Sequence, residues 1–356
     1  MCTRVHRHSI FCILPPHILR AIATNSTQQP EREAALRTLS LDNTFRSLRL
    51  AGGLPTGRPH VARLSAEEGS KQRTIYSANG HQDLPGEIMR KEGSTPSSDV
   101  AANEAYDGLG STYDFYWENF ARHSIDDEGM PLNATIHYGS KYNNAFWNGE
   151  QMVFGDGDGA IFERFTKCLD VIGHELTHGV TQDEAGLIYQ FQPGALNESV
   201  SDVFGSLIKQ FQLKQTADKA DWLIGAGLFT SRIQGKALRS MAAPGTAYDD
   251  PTLGKDPQPA HMRNLVRTFE DNGGVHINSG IPNHAFYLAA TKLGGYAWEK
   301  AGRIWYETLK DARLRPNAGF SRFAKLTVSV ASRLYGATST EAKAVGDAWK
   351  EVGVRT

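Results

Sequence analysis

His174-Glu175-Leu176-Thr177-His178 is the feature around which the rest of this sequence has to be arranged. On a helix, residues four apart lie on one face about one turn apart, so His174 and His178 present two imidazoles to one metal ion. Glu175 is rotated aside, where its carboxylate meets a metal-bound water instead of the metal. Zinc lowers the pKa of that water, and a carboxylate within reach takes its proton. A five-residue motif also arises by chance, as a helix with two histidines and a surface glutamate. The flanks favour the metal. Leu169, Ile172, Leu176 and Val180 bury one face, while His174, Glu175 and His178 gather on another.

Two histidines and a water leave one tetrahedral position for a third protein ligand. Asn197-Glu198-Ser199-Val200-Ser201-Asp202 supplies it. Glu198 lies 20 residues beyond His178, enough for one helix to end, a loop to turn and another helix to begin. Alone, Glu198 reads as a solvated helix charge; beside the first motif it reads as the ligand. Asp202 lies four residues on, on the same helix face, placed to accept the second ring N–H of a ligand histidine.

The remainder reads as an α+β protein. At 356 residues the chain exceeds what one hydrophobic core usually serves, so two lobes plus a short extra segment are expected. Arg73 onward begins a strand-rich lobe, with strands at Thr74–Tyr76, Ala134–Tyr138 and Gln151–Phe154. A helical period runs from Ala101 to Arg122, and Tyr142–Gly149 reads as an irregular or edge-strand region. Gly155–Gly159 reads as a structural turn, because the glutamate that closes a calcium loop is missing. Helices are expected over Phe162–Thr181 and Ala195–Gln210. Trp298–Ala312 and Phe323–Leu334 give two amphipathic helices of a helical C-terminal lobe. The boundaries expected are 1–50 for a separate N-terminal segment, 51–70 for a linker, 71–185 for the first lobe and 186–356 for the second.

A net charge of −1 gives no field to attract nucleic acid or an anionic membrane, and no stretch of about 18 apolar residues suits a membrane helix. Cys2, Cys12 and Cys168 are too few and too far apart for a disulfide framework and read as free thiols. Met1–Arg7 is basic and Ile10–Pro15 briefly apolar, but Pro15-Pro16-His17 cuts that stretch short. It reads as no conventional export signal, so the expectation is cytoplasmic synthesis, with any release by another route. A monomer is expected.

These motifs, with Tyr142–Gly149, Ala185–Tyr189, Leu238–Met241 and Asp271–Gly280 in order, resemble the thermolysin-like (M4) metallopeptidases from about Lys71 to the C-terminus. The resemblance implies a two-lobed zinc endopeptidase with one catalytic zinc, cutting peptide or protein substrates on the amino side of bulky apolar residues. By the same resemblance His174, His178 and Glu198 look like the zinc ligands. Glu175 looks like the general base that later passes its proton to the leaving amine. His276 and Tyr189 look like the oxyanion donors, Asp271 orients His276, and Arg239 grips a substrate carbonyl. Asn144 and Ala145 would pair with an extended substrate, as strand addition to an edge. On its own, His276 beside Gly273-Gly274 reads equally as a turn residue.

Cys12–Leu19 resembles the short propeptide of the protealysin-like branch, which lies across the active site until it is cut, here between about Arg46 and Lys71. Two readings stand for its action: a Cys12 thiolate on the zinc, or Pro15-Pro16 and their apolar neighbours plugging the cleft, the second preferred. The chain departs from the family over calcium. Asp170 and Asp221 stand at ligand positions, but Lys209, Leu223 and Ala226 replace acidic residues, and Lys236 spoils a second position. Lysine cannot ligate calcium, so Lys209 is expected to pair with Asp170 or Asp221 in its place. Two other classes, a non-catalytic peptide binder and a zinc hydrolase of non-peptide amides, are opposed by the intact Glu175 and by the Asn144-Ala145 strand.

Overall fold

The structure, a computed structural model, describes residues 11–50 and 66–356. The linker, most of the span that holds the expected maturation cut, Cys2 and the basic start of the chain lie outside the described residues. Strand β1 (Phe11–Cys12) leads through Pro15 into helix α1 (Pro16–Asn25). Proline suits a first helical turn, where its missing N–H has no helical partner anyway. The Pro15-Pro16 pair that stops a signal-like stretch therefore starts a helix, which buries Ile18, Leu19 and Ile22. The polar run after it forms α2 (Gln29–Leu50).

The first lobe contains β2 (Arg73–Ser77), β3 (Glu87–Lys91), α3 (Val100–Phe120), β4 (Leu132–Ile136), β5 (Ala145–Trp147) and β6 (Met152–Phe154). The six-stranded sheet has the order β1-β5-β6-β4-β2-β3. Strands β2, β4 and β6 are parallel, while β3, β5 and β1 join antiparallel to their neighbours. The expected edge region Tyr142–Gly149 thus holds a strand paired on both sides. Phe11 sits opposite Trp147 and Cys12 opposite Phe146, so the chain's own N-terminal segment closes that edge.

Helices α4 (Leu169–Glu184) and α5 (Phe191–Leu213) cross the centre. The expected start of α4 at Phe162 is corrected to Leu169, after a single 3₁₀ turn at Phe165–Lys167. Phe162, Phe165, Leu169 and Ile172 mimic a helical period. The two phenylalanines are instead buried together, and Phe162 bridges to Phe229. A close approach of α4 and α5 depends on glycine. A methyl on Gly205 would stand 2.4 Å from the Asp170 carbonyl oxygen, and one on Gly173 would stand 2.7 Å from Ile208 Cδ1.

Beyond α5, the short antiparallel pair β7 (Leu223–Ile224) and β8 (Arg239–Ser240) precedes α6 (Asp271–Asn278) and α7 (Gly280–Leu293). Helices α8 (Arg303–Leu309), α9 (Phe320–Tyr335) and α10 (Thr340–Glu351) complete the helical lobe around the stacked rings of Trp305 and Trp349. The expected helix from Trp298 begins with one π turn, Trp298–Gly302, and Leu334, expected on the buried face of α9, is 37% exposed. Among the described residues no helix is long and apolar enough to cross a membrane.

Candidate metal centre

Helix α4 carries His174, Glu175 and His178, and α5 carries Glu198, all fully buried at the crossing of the two helices. His174 Nε2 lies 3.0 Å from His178 Nε2 and 3.5 Å from Glu198 Oε2, and His178 Nε2 lies 3.5 Å from Glu198 Oε1. A tetrahedral zinc with nitrogen bonds of roughly 2.0–2.1 Å sets its ligand atoms about 3.3 Å apart. The three separations bracket that value. Among the described residues these are the one group of His, Cys, Asp and Glu side chains close enough to share an ion.

The outer nitrogens fix which atoms face inward. His174 Nδ1 donates to Asp202 Oδ1 at 2.8 Å, as the spacing of Glu198 and Asp202 predicts. His178 Nδ1 lies 2.7 Å from Asn197 Oδ1 and 3.0 Å from Ser201 Oγ. With the proton on Nδ1, both rings aim an Nε2 lone pair at the same point. Glu198 Oε2 is buried without a hydrogen-bond partner among the described residues. Two lone pairs at 3.0 Å and an orphaned carboxylate oxygen need a cation between them, so the donor set fits a zinc ion.

Charge around the centre is organised by Asp202. It accepts from Arg239 Nε and Nη2, from His174 and from Asn283 Nδ2, the four contacts each 2.8 Å long. Burial opposes its charge, but Arg239 and His174 hold the carboxyl well below the usual range. Glu175 Oε2 accepts from the Trp147 backbone N–H at 3.0 Å, which ties the carboxylate to β5. His276 stands at the far wall, its Nδ1 2.7 Å from Asp271 Oδ1 and its Nε2 3.0 Å from the Cys12 carbonyl oxygen. Burial opposes a proton on this ring, yet Asp271 and Glu198 raise its pKa. Asn272, Gly273 and Gly274 just before it all have positive φ. His276 is therefore both a residue of a tight turn and a wall of the site. The Tyr189 hydroxyl donates to Glu198 Oε1 and lies 3.4 Å from His276 Nε2.

All eleven residues named from the sequence are gathered here. The N-terminal segment lies among them in extended form. Ile13 N–H donates to the Ala145 carbonyl at 3.2 Å, and Leu14 N–H to Asn144 Oδ1 at 2.9 Å. Arg239 Nη1 donates to the Ile13 carbonyl at 3.1 Å. Neighbouring strand residues face opposite ways. Phe11 stacks on His178 at 4.3 Å, whereas Cys12 packs with Tyr138, Tyr142, Phe146 and Val153, away from the ligands. The thiolate-on-metal reading is corrected by this placement. Several contributors were not legible beforehand. Asp42 on α2 accepts from Tyr142 Oη and Asn144 Nδ2, and Thr38 accepts from Asn143 N–H. Asn197 and Ser201 carried a signal, since they repeat the four-residue spacing of Glu198 and Asp202 one residue earlier.

A buried His–His–Glu set, faced by an extended segment of polypeptide, defines the centre of a metallopeptidase. The family model described as thermolysin metallopeptidase, catalytic domain, matches residues 61–182, and that of its alpha-helical domain matches residues 185–354. The chain belongs to the thermolysin-like (M4) metallopeptidases, in the protealysin-like branch. It is 55% identical to an extracellular metalloprotease of Pectobacterium carotovorum over 97% of this chain and 96% of that protein. It is 47% identical to the extracellular minor metalloprotease of Serratia marcescens over 87% and 88%. The solved precursor of protealysin from Serratia proteamaculans superposes with a TM-score of 0.88 at 56% identity, covering 97% and 99% of the two chains. Two of these relatives are named as extracellular enzymes, which points to secretion and corrects the expectation of a cytoplasmic protein.

Proposed function

We propose that this chain is a zinc-dependent neutral endopeptidase, synthesised as a precursor inhibited by residues 1–50 and matured by a cut within about 46–71. The two catalytic lobes are residues 71–185 and 186–356, and the enzyme works as a monomer on peptide or protein substrates. His174, His178 and Glu198 hold one zinc ion. Bound there, zinc would supply Lewis acidity, easing deprotonation of water and attack on the substrate carbonyl. Glu175 takes a proton from the attacking water and passes it to the leaving amine. His276, kept in place by Asp271, and Tyr189 donate to the carbonyl oxygen as it gains charge. Arg239 grips the next carbonyl, while Asn144 and Ala145 pair with the substrate backbone.

The observation that carries this reading is the path of the N-terminal segment. Its backbone takes up the contacts expected of an extended substrate, with the Cys12 carbonyl on His276, the Ile13 carbonyl on Arg239, and the Ile13 and Leu14 amides on Ala145 and Asn144. Cys12–Ile13 then stands in the place of the bond to be cut, with bulky apolar Ile13 after it. That supports both the preference for such residues and inhibition by occupancy of the cleft. The Tyr189 hydroxyl lies 3.4 Å from His276 Nε2, so the two proposed donors stand side by side. The test is hydrolysis of a blocked peptide with an apolar residue after the scissile bond, on protein cleared of residues 1 to about 50. Cleavage abolished by a chelator and restored by zinc is expected. A folded, zinc-loaded sample that does not cleave would refute the endopeptidase reading.

A further inference from the structure

His17 is the second residue of α1, where the N-terminal segment leaves the metal centre. The residue as a whole is half-buried, but the inner edge of its ring is sealed. Nε2 lies 3.0 Å from the Tyr248 hydroxyl, and Nδ1 is shut off from solvent with no hydrogen-bond partner among the described residues. A neutral imidazole needs only one donor partner, whereas the cation must donate from both nitrogens. Here the second proton would be a buried donor with nothing to accept it.

The surrounding charges add to that penalty. Burial is the largest opposing influence, and His276 on α6, Arg239 on β8 and Arg20 on α1 act in the same direction. Asp271 alone among the influential groups favours the cation. Tyr248 is held neutral by its own burial. The first turn of a helix is also a poor place for positive charge. The balance lowers the His17 pKa from its ordinary 6.5 to about 4.

We propose that protonation of His17 drives the N-terminal segment out of the cleft, so that acid opens the precursor. The inference rests on the reading that this segment blocks the site. In the open state the ring is solvated and regains its ordinary pKa, so the open state binds more protons than the closed one below pH 6.5. Stability of the closed state is therefore full above that pH, falls as pH drops below it, and stops falling near pH 4. From about pH 7.5 to about pH 5.5 the closed state should weaken about 10-fold.

The experiment uses the full-length, zinc-loaded chain carrying Glu175→Gln, which suppresses self-processing. Hydrogen-exchange protection of the Ile13 and Leu14 amides is measured at both pH values and corrected for intrinsic exchange. An about 10-fold loss of protection is expected in this protein and none when His17→Gln is added. No loss in the first protein, or an equal loss in both, would overturn the proposal. NMR titration of the His17 ring in the full-length chain gives a second reading that needs no His17 variant: a midpoint near 4 supports the proposal and one near 6.5 overturns it. Neither measurement requires peptide hydrolysis, so their failure is distinguishable from failure of the endopeptidase reading.

Discussion

Asp202 is the residue on which the charges of the site are balanced. Its carboxylate orients His174 for the metal and neutralises the buried Arg239 guanidinium. Asp202→Asn keeps the shape but leaves Arg239 without its counter-charge and weakens the grip on His174. Loss of such an outer partner typically lowers metal affinity roughly 10–100-fold. That drop is expected in competition with a zinc chelator, with the fold retained in circular dichroism; unchanged affinity would refute the orienting role. Glu175 gives the complementary case. It is not a ligand, so Glu175→Gln should keep its zinc while kcat falls roughly 10²–10⁴-fold, the usual worth of a general base. Loss of zinc along with activity would instead make Glu175 part of the metal site.

Helices α4 and α5 turn these residues into a site because their backbones come together at Gly173 and Gly205. Gly205→Ala would press a methyl against the Asp170 carbonyl and the His174 backbone, neither of which is a flexible side-chain end. Overpacking of this kind costs about 1–3 kcal/mol, to be read from chemical denaturation. Because α5 would be pushed off α4, zinc affinity should fall as well; a stability loss without an affinity loss would uncouple the two. The element scale also marks how far the sequence could be read. His174, His178, Glu198 and Asp202 were legible because helical spacing is a local rule that survives burial. The start of α4 was not, since Phe162 and Phe165 follow the same period for a different reason, contact with each other and with the segment at Phe229. Strand β1 was equally hidden. Two residues carry no strand pattern of their own, and Phe11–Cys12 is extended because β5, more than 130 residues away, offers it a partner. Such pairing is set by tertiary context rather than by local propensity.

At the scale of the whole molecule, Lys209 joins three separate stretches of chain. From α5 its ammonium reaches Asp170 in the first turn of α4 at 2.8 Å, Asp221 at 3.0 Å and the Leu223 carbonyl of β7 at 2.7 Å. This is the pairing that the replacement of acidic residues by Lys209 predicts. Burial works against the ammonium, but Asp170 and Asp221 outweigh it and raise its pKa. A covalently attached cation thus stands among oxygens that would otherwise suit a divalent ion. Calcium binding here would have to displace that ammonium and leave it without its partners. We therefore expect millimolar calcium to leave the melting temperature of the full-length chain unchanged, where a bound ion would raise it. A strong rise would refute the substitution of lysine for calcium. Lys209→Met makes the converse case. It leaves Asp170, 1% exposed, as a buried carboxylate without its cation. Breaking a buried pair from one side costs about 3–5 kcal/mol. A loss near the lower end is expected because Lys209 retains some contact with water. Denaturant unfolding measures it, and a variant as stable as the parent would show that this junction draws its strength from the surrounding apolar packing instead.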